Sequence, residues 1–202
     1  DDTLTYGKLD MELAAQGKVG SLDSLDLSME SKLINLVYNG HNYKGLELSS
    51  EIDDGVGQFK VIHKDEMLDM ELLANLSLTP SKYKVDMDLE LNGADLYGLN
   101  FSAKKLRTQF SLHAAFDGTP ENFDLQSRLT NGTIVLDDQA YPIGGMDLAL
   151  RVLPDSTDFS IQSNVLNGFL QSNVTPGETY EGVSRHFNGY FLDSASLSYN
   201  EV

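Results

Sequence analysis

Histidines and carboxylates are the groups with which this chain could do chemistry, and their spacing supplies none. His41, His63, His113 and His186 stand far apart. Two of them fall in strand-like rows and could approach in space, but a metal centre announces itself by ligands at short, repeated spacing, and none is present. Asp53-Asp54 and Asp137-Asp138 each sit at a turn. Calcium needs a run of oxygen ligands such as the EF-hand loop, so these acids read as solvated turn residues. No Gly-x-Ser-x-Gly, His-Glu-x-x-His or phosphate-cradling loop occurs. Paired carboxylates are uninformative in a chain with 31 Asp and Glu, because some pair will always meet. The expectation is a protein that is not an enzyme, with no metal and no cofactor. Sequons at Asn75, Asn131 and Asn173 are what a chain rich in Asn, Ser and Thr produces by chance.

What remains is apolar patterning. Leu46, Leu48, Ser50 and Ile52 alternate with Glu47, Ser49 and Glu51. Phe59, Val61 and His63 form a second row. Leu68, Met70, Leu72, Ala74, Leu76 and Leu78 form a third, and Tyr83, Val85, Met87, Leu89 and Leu91 a fourth. Side chains alternate across a strand, so each run predicts a strand with one apolar and one polar face. Asn39-Gly40, Asp54-Gly55, Pro80-Ser81 and Asn92-Gly93 read as the turns between them. Together they predict an antiparallel meander, apolar on one side.

The flanks repeat the rhythm. Leu9, Met11, Leu13 and Ala15 alternate, as do Leu25, Leu27 and Met29, then Ile34, Leu36 and Tyr38. Residues 22–38 also fit a helical spacing, but strand is preferred because every neighbouring segment alternates. Tyr43 is placed at the start of a strand. At residues 92–101 the alternation stops, which predicts a loop or short helical turn. Leu106 to Phe116, Phe123 to Leu129, Ile134 with Leu136, Met146 to Val152 and Phe159 to Val165 continue the pattern, with turns at 117–120 and 154–157. Pro142 cannot donate to a ladder, so an edge or bulge is expected there. Thr175-Pro176-x-Glu178 is a helix start. Tyr180, Val183, Phe187 and Phe191 then form a stripe at helical spacing, predicting one short amphipathic helix over about 176–191 lying on the sheet or across its end. Residues 192–202 would add a last strand.

The chain of 202 residues is 41% hydrophobic and 22% charged, ordinary values for a folded domain. Its net charge of −17 argues against nucleic acid and against an anionic membrane surface. There are no cysteines, so no disulfide framework forms. No apolar run approaches the roughly eighteen residues that a membrane-spanning helix needs. The chain opens on Asp1-Asp2 with no signal peptide, which is read as a piece of a longer protein.

The order strand, Asn39-Gly40-x-x-Tyr43-Lys44-Gly45-Leu46, strand, Asp53-Asp54-Gly55, three strands, Ala94-Asp95-Leu96-x-x-Leu99-x-Phe101 resembles the repeating segment of TamB-type proteins. These belong to the AsmA-like bacterial envelope proteins, and the likeness is to their Bacteroidetes branch. It covers most of the chain, is clearest from Leu33 to Gly132, and rests on rhythm rather than on an invariant motif. The resemblance implies a β-taco, a long curved antiparallel sheet whose concave face is apolar, with residues 92–101 as a crossover between repeats. It also implies a periplasmic segment of a Gram-negative protein anchored in the inner membrane, carrying phospholipid toward the outer membrane and associated with a BamA-like outer-membrane barrel that assembles outer-membrane proteins. The residues expected to line the trough and meet acyl chains are Leu46, Leu48, Phe59, Val61, Leu68, Met70, Leu72, Val85, Met87, Leu89, Phe110, Leu112, Phe123 and Leu125.

Two other readings stay open. A closed β-sandwich would bury the same rows as its core and bind carbohydrate or a cell surface through loop aromatics such as Tyr38, Tyr43 and Tyr97. A chaperone-like segment would instead offer its sheet edges to client strands. A single repetitive domain over 1–202, about a dozen strands and roughly 55–60 Å along the stacking axis, is expected if the sheet stays open.

Overall fold

The computed structural model describes residues 6–18 and 20–191. Its strands are β1 (Tyr6–Lys18), β2 (Asp26–Tyr38), β3 (His41–Tyr43), β4 (Leu46–Asp53), β5 (Val56–Lys64), β6 (Leu68–Thr79), β7 (Lys82–Asp95), β8 (Leu106–Thr119), β9 (Asn122–Leu136), β10 (Gln139–Leu153), β11 (Ser156–Ser163) and β12 (Asn167–Ser172). One helix, α1 (Pro176–Phe191), follows. All twelve strands form one antiparallel sheet in chain order, except that β3 pairs only with β2. The alternation of residues 22–38 resolves as strand, with helical geometry confined to a 3-10 turn at Leu22–Ser24. The strand suggested for residues 192–202 lies outside the described residues.

The turns are those the residue types dictate. Asn39 and Gly40 have φ of 51° and 76°, Asp54 and Gly55 48° and 73°, and Asp137 and Asp138 47° and 67°. Two successive positive φ values make the hairpin turn whose twist matches that of the strands, and Asn, Asp and Gly tolerate it best. Gly55 is also confined by its neighbours, since a Cβ there would sit 2.5 Å from the Leu78 carbonyl oxygen. The chain turns at Pro120-Glu121 rather than across 117–120, so Asp117 to Thr119 belong to β8.

Asn92-Gly93 is not the expected turn, and Asn131-Gly132 is not one either. They lie inside β7 and β9, each taking an extra residue against its neighbours. Register shifts also occur between Asp69 and Met70 on β6 and around Gly144 on β10. These irregularities line up across five adjacent strands. A bulge bends its strand and increases the local twist, so the aligned row is a crease along the stacking direction. Gly132 is buried in it, and a Cβ would meet the Ile143 side chain at 2.5 Å and Leu129 at 2.9 Å. Pro142 lies beside the crease. β11 pairs with β10 only from Met146 onward, so Pro142 has a neighbour on one side alone, as its missing N–H requires.

Among the described residues, no second layer of strands or helices packs over the sheet. The accessible surface of the whole chain is 14042 Å², whereas a compact monomer of 22.3 kDa would expose about 9,400 Å². Among the described residues, the buried apolar side chains are Leu33, Ile52, Ala74, Ala94, Leu99 and Val152. A sandwich core would instead have buried the central leucines of β6 to β9. The closed sandwich is therefore not the fold: this is an all-β, open, curved sheet with one short helix.

α1 begins as its sequence dictates. The Glu178 carboxylate accepts from the Thr175 backbone N–H (3.1 Å) and hydroxyl (2.8 Å), and Thr175 Oγ1 accepts from the Glu178 N–H (3.3 Å). This reciprocal cap satisfies amides that the helix leaves free, and it lowers the Glu178 pKa. Of the expected apolar stripe, Tyr180 is 74% exposed, and the side chains of Val183, Phe187 and Phe191 lie outside the described ones.

Candidate functional site

The candidate site is the apolar face. Register places every predicted trough residue on it. Leu48 faces Val61, Val61 faces Leu72, Leu72 faces Leu89, Leu89 faces Leu112, and Leu112 faces Leu129. A parallel row runs Phe59, Ala74, Met87, Ala114. A third joins Val85, Phe116 and Leu125, and a fourth joins Met70, Leu91 and Phe110. Leu46 pairs with Leu33, Leu68 with Ala94, and Phe123 with Gly118 and Val152. All of these predicted residues are half-buried. Each is flanked by neighbours on adjacent strands and keeps part of its surface accessible. Phe116 and Phe123 stack at a 5.1 Å centroid distance within this surface.

The opposite face holds the charge. Lys32 pairs with Glu47 at 3.1 Å, Arg128 with Asp147 at 2.6 Å, and Arg151 with Asp124 at 3.4 Å. Water screens such exposed pairs, so they solubilise the face more than they stabilise it. Asp86, Asp88 and His113 converge there, with His113 Nδ1 2.9 Å from Asp88 Oδ1 and Nε2 3.8 Å from Asp86 Oδ2. All three are exposed, and Arg128 sits directly across from His113 in register. A guanidinium beside the cluster works against a divalent cation, and the group reads as a rung of the charged ladder. A shallow hollow of about 480 Å³ also opens on this face, among Glu12, Glu30, Lys32, Glu47 and Lys60.

One margin of the apolar face is roofed, which the sequence did not announce. Tyr43 does not begin β4. It ends β3, a short strand that folds back on β2 and forms a flap. The flap tip reaches the β7–β8 loop. There the Asn39 side-chain amide donates to the Asn100 carbonyl at 2.7 Å, and the Asn100 amide donates to the Asn39 carbonyl at 2.8 Å. Tyr38 packs near Phe101 at 6.3 Å. Residues 96–105 thus form a loop in which Leu99 is buried, and β7 and β8 pair directly across it, so the sheet runs without interruption through the expected crossover.

Beneath the flap, Tyr43 lies 4.7 Å from the His41 ring and 5.9 Å from His63, which is completely buried. His41 and His63 both direct Nε2 at Asp65 Oδ2, at 3.4 Å and 2.9 Å. A carboxylate only accepts, so both rings carry hydrogen on Nε2. Asp65 Oδ1 accepts from the backbone N–H groups of Met67 (2.7 Å) and Leu68 (2.8 Å). Burial pushes the Asp65 pKa up, but the Leu68 and Met67 amides and the two rings outweigh it and hold the carboxyl at about 2. The Tyr43 phenol is raised, chiefly by burial and then by the Asp65 charge. His63 Nδ1 is buried without a hydrogen-bond partner among the described residues.

No protein-family model, curated protein or solved structure matches the chain.

Proposed function

We propose that the chain is a periplasmic segment of a TamB-type, AsmA-like envelope protein whose apolar face carries phospholipid between the inner and outer membranes. The full-length protein would be anchored in the inner membrane, with a BamA-like outer-membrane barrel as partner and outer-membrane protein assembly as a linked role. The observation that carries this reading is the long, one-sided row of half-buried apolar side chains, over which the described residues form no second layer. An exposed apolar surface of that extent marks a ligand or partner site. Each methylene taken from water contributes about 0.8 kcal/mol. A row that repeats from strand to strand keeps that gain similar at each step, so an acyl chain slides without a trap while its head group stays in water. Met70 and Met87 adapt to chains of different shape. The chemistry is passive and non-catalytic.

The test is lipid retention. The chain is incubated with phosphatidylethanolamine vesicles containing a fluorescent phospholipid and then re-isolated. The wild type should retain the probe, and Met87→Arg should lose it while keeping the wild-type circular dichroism. Equal retention by both proteins would contradict the reading.

The hollow among Glu12, Glu30, Lys32, Glu47 and Lys60 favours a second reading, a binding module that works from its charged face. It predicts that Lys60→Ala, and not Met87→Arg, abolishes ligand uptake.

A further inference from the structure

We propose that the β3 flap is an acid-released cover, closed over its margin of the apolar face while His41 and His63 are neutral and lifted when both are protonated. Two sets of contacts hold the flap. At its tip the reciprocal Asn39–Asn100 amide bonds and the packing of Tyr38 near Phe101 involve no charge. Beneath it His41, on β3, and His63, on β5, share one carboxylate oxygen, Asp65 Oδ2. Gly45 stands between β3 and β4, where the flap must hinge, with φ of 74° and no atom within 4 Å of where a Cβ would lie.

One carboxylate balances one imidazolium and not two. With both rings neutral, each gives its Nε2 hydrogen to Asp65, so a further proton goes to Nδ1. His41 keeps 16% of its side chain exposed, so water can accept from its new N–H while Asp65 balances the charge. His63 is completely buried, and its Nδ1 has no hydrogen-bond partner among the described residues. A proton there makes a buried N–H with nothing to accept it, and a second cation beside the first. Lifting the flap carries His41 away from His63 and lets water reach Nδ1, so protonation and opening favour each other. The surrounding groups do not supply the missing charge. Asp65 stays ionised in mild acid, since its carboxyl is held at about 2. Tyr43 on the flap and Tyr38 on β2 carry phenols, which are uncharged there. β6 sets Met70 opposite His63, and β4 begins at Leu46. Lys44 and Glu66 are exposed, and Lys64 pairs with Asp69 at 3.7 Å. Asp95, on β7, accepts from the Tyr97 and Gly98 amides.

The chain has no cysteine, so spin labels can be attached at Asn42→Cys on the flap and Ala103→Cys on the β7–β8 loop, both exposed positions. Pulsed electron resonance reads the distance between the labels with no lipid present, so its outcome is separate from that of the lipid-retention test. Histidine changes charge between about pH 8 and about pH 5. The labelled chain should give one short distance at the upper limit and a second, several ångströms longer, at the lower. His63→Gln keeps a donor for Asp65 but takes up no proton, so it should hold the short distance at both. His41→Gln should do the same, and it changes a ring that is only partly buried, so the test survives if His63→Gln does not fold. A labelled chain that keeps the short distance in acid would overturn the proposal. So would acid release in either glutamine variant with unchanged circular dichroism.

Discussion

Asp65 shows how one side chain organises a margin of this sheet. It accepts from two backbone amides and two imidazoles, so its removal leaves several buried donors without a partner. Each unsatisfied donor costs about 1–3 kcal/mol. Asp65→Ala should therefore destabilise the domain by at least about that amount in urea unfolding, and an unchanged midpoint would mean that the cluster is ornamental. The pH dependence has a definite sign. The folded carboxyl titrates near 2 against an ordinary 3.8, so the unfolded chain binds more protons between those values. The contribution is complete above about pH 4 and is lost as pH falls toward 2. Hydrogen exchange of the Met67 and Leu68 amides should follow that window in the wild type and lose it in Asp65→Ala. Little of this cluster was legible beforehand. His63 continues an apolar row, and only the returning flap brings His41 and Tyr43 onto it.

The strands themselves were plain in the sequence, because a period of two survives whatever lies beyond the sheet. Leu46 to Ile52 and Tyr83 to Leu91 pair as their alternation requires. Asn-Gly was the ambiguous signal. At Asn39-Gly40 it makes a hairpin turn, and at Asn92-Gly93 and Asn131-Gly132 it makes a bulge. Both residues of Asn39-Gly40 take positive φ, whereas in the two bulges only Asn131 does, and the pairing on either side decides between turn and bulge. The bulges set the crease, which yields a prediction. Gly132→Ala forces a methyl against Ile143 and Leu129, so it should cost about 1–3 kcal/mol in thermal unfolding. The same change at Gly93, where a Cβ meets nothing within 4 Å, should cost far less. At the other end, Thr175→Ala removes the reciprocal cap and should lower α1 helicity by circular dichroism, at a cost of about 0.5–2 kcal/mol.

The molecule as a whole is a sheet with two unlike faces, and its function hangs on whether the apolar one is available. Its placement was readable from residue types alone, since every predicted trough residue shares it. The roof over one margin was not, because a flap three residues long leaves no periodic trace. Photocrosslinking asks the question most directly. A photoreactive residue at Met87 looks out from the apolar face, and one at Asp88 looks out from the charged face. With radiolabelled phosphatidylethanolamine, the account predicts labelling from Met87 and none from Asp88. Labelling from Asp88 alone, or from neither position in a folded sample, would contradict it.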